Sequence, residues 1–206
     1  PAVPVVSLGD LDNEKMNQGL STKDKAVVGS YYSNAGSDNY ANMMKYLAND
    51  IFGLSTVAAA VPRVTPNVGL YHYDFEGKVT SDGSAFFDFL EVKEKQPVIA
   101  IGIHRSVVDY EQTQIVDAVL KGLEQKGAKA LGFFFEGEDE ALNYTDLLLQ
   151  DVDGIATPRV DLLINYRSLH YVEKRRAEFE KVGVPVLHAL NYTEGDQAGF
   201  EADHAG

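Results

Sequence analysis

Residues 96–137, QPVIAIGIHRSVVDYEQTQIVDAVLKGLEQKGAKALGFFFEG, restrict what this chain can fold into more than any other stretch. From Pro97 to Ile103 the sequence is one continuous apolar run, rich in β-branched residues and too short for a free-standing helix. A strand hydrophobic at every position is covered on both faces, which is the pattern of parallel sheets. The run stops at His104-Arg105, where a parallel sheet hands its loops to solvent. The spacing of Ile115, Val116, Val119, Leu120 and Leu123 predicts a helix over 109–125, and Gly127 is placed to end it. Residues 128–135 then read as a second strand.

The alternation continues. A weaker helical stretch falls around 139–149, VDLLIN (160–165) reads as a third strand, YVEKRRAEFEKV (171–182) as a charged helix ended by Gly183, and PVLHAL (185–190) as a fourth strand. Strand–helix–strand repeated in this way implies right-handed crossovers. The expected fold is α/β, a doubly wound (flavodoxin/Rossmann-like) parallel sheet with helices on both faces. The first third differs. Residues 3–8 read as a strand and 9–36 as a polar stretch. Residues 38–52 read as a helix with Tyr40, Met43, Met44, Leu47 and Ile51 on one face, closed by Gly53. Residues 54–69 carry two prolines and read as a linker. The expected organisation is therefore 1–62 as the trailing part of a preceding unit and 63–206 as the parallel α/β domain.

Thirty-one acidic residues against 18 basic ones give a net charge of −13. A field of that sign repels nucleic acid and anionic membrane, so neither is an expected partner. With no cysteine, disulfide frameworks, thiolate metal sites and Cys nucleophiles are excluded together. No apolar run is long enough to span a bilayer as a helix. The expected location is cytoplasmic. The chain opens on Pro1 rather than Met, which reads as processing or excision from something larger.

Four passages, in order along the chain, resemble one family. YYSNAGSDNYANMMKYLAN (31–49) is similar to its Tyr, Gly, then Asn-rich helix segment, and PNVGLYHYDF (66–75) to its Gly-x-Tyr-His passage after a proline-rich linker. Residues 97–134 resemble its hallmark strand ending in a tripeptide with Arg last, followed by helix, Gly and strand. VDLLINYRSL (160–169) and VGVPVLHAL (182–190) resemble the two strands that follow. The family is the large, tetrapyrrole-binding component of metal chelatases, comprising CobN-type cobaltochelatase and the magnesium chelatase H protein. At position 104 the family has an aromatic where this chain has His104, and Ser106-Val107-Val108-Asp109 stands where the family has a Gly-rich turn. Those departures point to a divergent branch, such as CobN-like proteins proposed to take metal out of haem.

The resemblance implies an N-terminal portion of a much longer subunit that handles a divalent metal and a tetrapyrrole. It implies partnership with the remainder of that subunit and with AAA+ ATPase subunits that hydrolyse ATP. No GxxxxGK[ST] loop occurs in this chain, and no cofactor is expected within it. A self-contained flavodoxin-like or periplasmic-binding-like small-ligand module is the competing reading.

Candidate site residues cluster at predicted strand ends. Arg105, beside His104, has the bidentate guanidinium that suits a tetrapyrrole carboxylate; an ion pair with Asp109 or Glu136 would explain it equally. Asn165-Tyr166-Arg167 and Asn191-Tyr192 end the third and fourth strands and would share that edge, where open α/β sheets bind ligands. The alternative for these residues is turn formation alone. His72, between two tyrosines and near Asp74, is a candidate metal ligand or an aromatic packing group. His188 reads as a satisfied core histidine, and Lys174-Arg175-Arg176 as the solvent face of its helix.

Overall fold

The computed structural model describes residues 5, 7–10, 15, 17–54, 57–136, 142–167, 172–189 and 196–202. The chain divides into two compact units, one of residues 1–65 with 106–113 and one of 66–105 with 114–206.

The first unit is helical. Ser21 caps α1 (Thr22–Asn34) by accepting from the Asp24 amide at 3.1 Å. This helix falls within the stretch read as polar 9–36. A second helix, α2 (Ser37–Tyr46), continues into a π-helical turn (Leu47–Ile51). Val28, Tyr31 and Met43 form the buried centre between the two helices. Gly36 offers α2 no side-chain cap. Glu111 supplies one, its Oε1 accepting from the Ser37 amide at 3.3 Å and the Ser37 hydroxyl at 3.0 Å. Its backbone sits at φ +57° in the break between a short α4 (Arg105–Asp109) and α5 (Gln114–Gln125), so the helix predicted over 109–125 begins only at Gln114.

The stretch read as a linker is tied down at Ala60 and Arg63. Buried Asn39 accepts from the Arg63 amide and donates to the Arg63 carbonyl, both at 2.8 Å. Asn42 accepts from the Ala60 amide at 3.0 Å, and the Tyr31 hydroxyl donates to the Ala60 carbonyl. These side chains give an extended backbone the partners that a neighbouring strand would otherwise supply.

The second unit carries a six-stranded sheet in the order β2-β1-β4-β3-β7-β8. Its strands are β1 (Val68–Tyr71), β2 (Val79–Thr80), β3 (Val98–His104), β4 (Lys129–Phe135), β7 (Leu162–Asn165) and β8 (Val186–His188). β3 lies parallel to β4 and β7, and β7 to β8, as the apolar runs predict. The sheet is mixed at one edge, where β1 runs antiparallel to both β4 and β2. A separate hairpin joins β5 (Leu149–Val152) to β6 (Ile155–Pro158) through Asp153 and Gly154, both at positive φ as tight hairpin turns require.

Alternation along the strands gives the sheet two apolar faces. Leu70, Val98, Ala100, Leu131, Phe133 and Phe135 face Phe86 and Leu90 of α3 (Gly83–Leu90), Tyr144 and Leu148 of α6 (Tyr144–Leu148), and Val182 of α7 (Val172–Val182). Residues of opposite parity, such as Tyr71, face the other way, and the Tyr71 hydroxyl donates to Asp117 of α5 at 2.6 Å. Val116 and Leu120 of α5 are buried as expected, whereas Ile115 is exposed. Each fully buried aromatic or branched side chain contributes about 1.5–3 kcal/mol.

Replacing Asn39 with Ala leaves both backbone groups of Arg63 without their side-chain partner. Because Arg63 is exposed and water can replace the lost bonds, we expect a loss of about 0.5–1.5 kcal/mol in denaturant unfolding, the usual net worth of a hydrogen bond. A second expectation concerns Tyr46, whose phenol is pushed up to about 12 by the hydrogen bond it donates to Asp24 and by burial. The folded state holds this proton more tightly than the unfolded chain. Its contribution is therefore complete below pH 10, the ordinary tyrosine value, and fades as pH rises towards 12. Tyr46→Phe should cost about 0.5–1.5 kcal/mol at neutral pH and flatten the alkaline unfolding profile.

Candidate functional site

Because β3, β4, β7 and β8 are parallel, their carboxyl ends share one edge of the second unit's sheet. The ladder pairs His104 with Phe135, and Gly102 with Asn165, which places the ends of β3, β4 and β7 side by side. β1 begins at the same edge because it is antiparallel, with Val68 opposite Phe135. Asn67, just before it, accepts from the Glu136 amide through its carbonyl at 2.7 Å. Its side-chain oxygen accepts from Arg105 Nη1, also at 2.7 Å. Asn67 thus steers the Arg105 side chain, a role that nothing in its sequence context announces.

The turn after β7 is built around Asn165, which is 3% exposed. Its Oδ1 accepts from the Arg167 amide at 3.2 Å, and its Nδ2 donates to the Arg167 carbonyl at 3.0 Å. The same Nδ2 lies 3.0 Å from His188 Nδ1. An amide nitrogen can only donate, so this His188 nitrogen is the acceptor and the ring's proton sits on Nε2. His188 is exposed on an edge strand, not in a core, and it closes the turn. Tyr166 is anchored by its amide, which donates to the Gly102 carbonyl at 2.9 Å.

Arg167 folds back over the end of β4. Its guanidinium carbon sits 3.9 Å from the Phe135 ring centroid, and Nη1 donates to the Phe135 carbonyl at 2.5 Å. Arg175 reaches the same ring, at 4.3 Å. Burial, and next the Arg175 charge, hold the Arg167 guanidinium below its ordinary value. Beneath them lies Glu178, which is buried and pairs with Arg175. It also accepts from Tyr144 Oη at 3.1 Å and Asn143 Nδ2 at 3.2 Å. Burial and the neighbouring Glu178 carboxylate push the Tyr144 phenol up.

The edge therefore brings together His104, Arg105, Asn165, Tyr166 and Arg167. Asn191 and Tyr192 lie outside the described residues. His72 is elsewhere. It follows Tyr71, which pairs with Gly132 towards the other end of β4. It is 3% exposed, its Nε2 lies 2.9 Å from Glu124 Oε1, and its Nδ1 accepts from the Asp74 amide at 3.1 Å. Both nitrogens are engaged, and the ring stacks on Tyr73 at 4.3 Å. A metal would have to displace one of these bonds. Among the described residues no group of three or more His, Asp or Glu side chains is arranged to hold a metal ion.

Sequence reasoning missed Arg175, Glu178 and Asn67. Arg175 was expected on the solvent face but is only 13% exposed in its side chain. A signal was present, since Arg175, Phe179 and Val182 follow i, i+4, i+7 spacing on one helical stripe. Arg176, by contrast, is exposed and pairs with Glu180 at 2.9 Å.

Residues 29–206 match the family model described as CobN/Magnesium Chelatase. Over 114 residues the chain is 32% identical to the magnesium-chelatase H protein of Rhodobacter capsulatus, a match covering 53% of this chain and 9% of that protein. The catalytic subunit of cobaltochelatase from Mycobacterium tuberculosis superposes on 89% of this chain with a TM-score of 0.60. That match, at 15% identity, covers 15% of the cobaltochelatase chain and is a likeness of fold.

The buried Asn165 amide is the joint of this edge. Asn165→Ala should lower stability by about 1–3 kcal/mol in urea unfolding, because both backbone groups of Arg167 lose a partner. The His188 ring should lose its fixed tautomer, seen as exchange broadening of its nitrogen resonances in NMR.

Proposed function

The chain belongs to the CobN/magnesium chelatase family, and on that premise we propose that it forms part of a large subunit that holds a tetrapyrrole while a metal ion enters or leaves the ring. The match of the family model over residues 29–206 carries this reading. The carboxyl edge of the sheet supports it, since Arg105 and Arg167 there suit the carboxylate side chains of a tetrapyrrole.

Electrostatics favour this assignment of roles. A chain of net charge −13 repels a polyanionic ligand at long range, so affinity has to come from local, directional contacts. Guanidinium groups supply them bidentately, and Asn67 holds one of the two in place. Tyr166, held at the same edge by its amide, is assigned a further polar contact to the ligand. Exposed His104 is the imidazole that takes a pyrrole proton as metal enters the macrocycle. The metal ion is substrate here, cobalt or a related divalent ion. ATP hydrolysis is assigned to separate AAA+ partner subunits and the rest of the binding cleft to further parts of the large subunit. No helix among the described residues is long and apolar enough to cross a membrane.

The test is Arg105→Ala in the polypeptide as it is naturally made. Tetrapyrrole binding, followed by fluorescence quenching, should weaken by about 1.5–3 kcal/mol while the thermal midpoint changes little. Unfolding of the variant, with binding per folded molecule intact, would make Arg105 a structural group instead.

A further inference from the structure

We infer that Arg167 and Arg175, packed over the Phe135 ring, form a two-guanidinium recess that takes one carboxylate, with Arg167 meeting the ligand and Glu178 positioning Arg175. The inference rests on the tetrapyrrole reading only for the identity of the natural ligand, whose propionate- or acetate-type side chain would fill the recess.

The charge balance at this place is unusual for a folded interior. Two guanidinium carbons lie 3.9 and 4.3 Å from one ring centroid. Cation–π attraction favours each contact singly, but it does not neutralise either charge. Glu178 neutralises Arg175, and both of those side chains are largely buried, being 10% and 13% exposed. Glu178 acts on Arg167 only through space and makes no direct bond to it. It already accepts from Arg175, Tyr144 and Asn143, which occupies most of the lone-pair directions a carboxylate has.

Among the described residues the direct contacts of Arg167 are neutral, the Phe135 carbonyl and the Phe135 ring, while the Glu136 and Glu178 carboxylates act on it only through space. No carboxylate among the described residues is in ion-pair contact with it. A guanidinium has five N–H donors, and the Phe135 carbonyl takes one of them. Burial first and the Arg175 charge second pull its proton affinity down, against smaller upward pulls from Glu136, Tyr144 and Glu178. It stays protonated at neutral pH nonetheless, because an arginine starts so far above that range.

A partly buried cation with spare donors, beside a second cation, is costly unless an anion completes it. The planar fork of a guanidinium matches a carboxylate better than any other common anion-binding side chain does. Position adds to the case. Arg167 follows β7 and Arg105 follows β3, and these strands are direct neighbours, about 4.8 Å apart. Two carboxylate grips on adjacent strand ends suit a ligand with more than one acidic side chain.

The experiment uses two probes, sodium propionate and mesoporphyrin, the latter compared with its uncharged amide. In the intact chain, propionate should shift the Arg167 Nε–Hε NMR signal saturably at constant ionic strength, and it should do so far less in Arg175→Gln. Arg167→Gln should weaken mesoporphyrin binding about tenfold or more and leave amide binding unchanged, with Arg167→Lys intermediate. If mesoporphyrin binds and Arg167→Gln does not weaken it, the recess is overturned while the chelatase reading stands. If mesoporphyrin fails to bind but propionate still moves Arg167, the recess stands and the tetrapyrrole reading falls. Should Arg167→Gln not fold, the wild-type titration decides, and an Arg167 signal that neither probe moves overturns the proposal.

Discussion

The parallel ladder between β3 and β4 fixes where everything else in the second unit can go. It runs in register from Val98 opposite Lys129 to His104 opposite Phe135, and both strands are buried on both faces. A one-residue slip would turn Leu131, Phe133 and Phe135 away from α3, α6 and α7 and towards α5, so the register is strongly specified. Beyond that pair, β7 adds beside β3 and antiparallel β1 beside β4. The carboxyl edge, with its arginines, follows from that pairing. Its chemistry is a consequence of sheet direction.

The edge also resolves a conflict in the charge of the molecule. Thirteen net negative charges, taken alone, disfavour an anion-binding role. Net charge acts at long range and is screened within about 8–10 Å at physiological salt, whereas a guanidinium contact acts at hydrogen-bond distance. Burial of Arg175 and Glu178 against Phe135 and Tyr144 lowers the local dielectric and sharpens that contact. The acidic exterior then selects against unspecific anions.

What was legible in the sequence follows the strength of the burial signal. β3, β4 and β7 were readable because runs such as VIAIGI and LLIN are apolar on both faces. β1 was not, because VGLY is four residues long and one of them is glycine. α1 was hidden for a different reason. TKDKAVVGSYYSN has little amphipathic contrast, and its placement depends on packing of Val28 and Tyr31 against Met43. α3 is a short phenylalanine-rich turn of chain whose Asp82 cap is its only local mark. At the site, Arg105, Asn165 and Arg167 were accessible because they end strands. Arg175 was hidden by the charged residues on either side of it, and Glu178 by a helix dense in acids and bases. Side-chain direction, more than residue type, separated the buried arginine from its exposed neighbour.

Glycine at position 102 connects the core to the edge. A methyl group there would lie 2.9 Å from Phe133 Cζ and 3.2 Å from Asn165 Oδ1. The missing side chain leaves the space that both the Phe133 ring and the Asn165 amide need. Phe133 stacks on Tyr144 at 5.1 Å, and Tyr144 bonds Glu178, which holds Arg175. On its other side Asn165 bonds both backbone groups of Arg167. The two guanidinium groups over Phe135 are therefore positioned from one buried strand position along two routes. A side chain locked by packing and by hydrogen bonds behind it loses little further freedom when a ligand arrives. The ordering cost of such a site is met during folding, through the same close packing that sets the sheet.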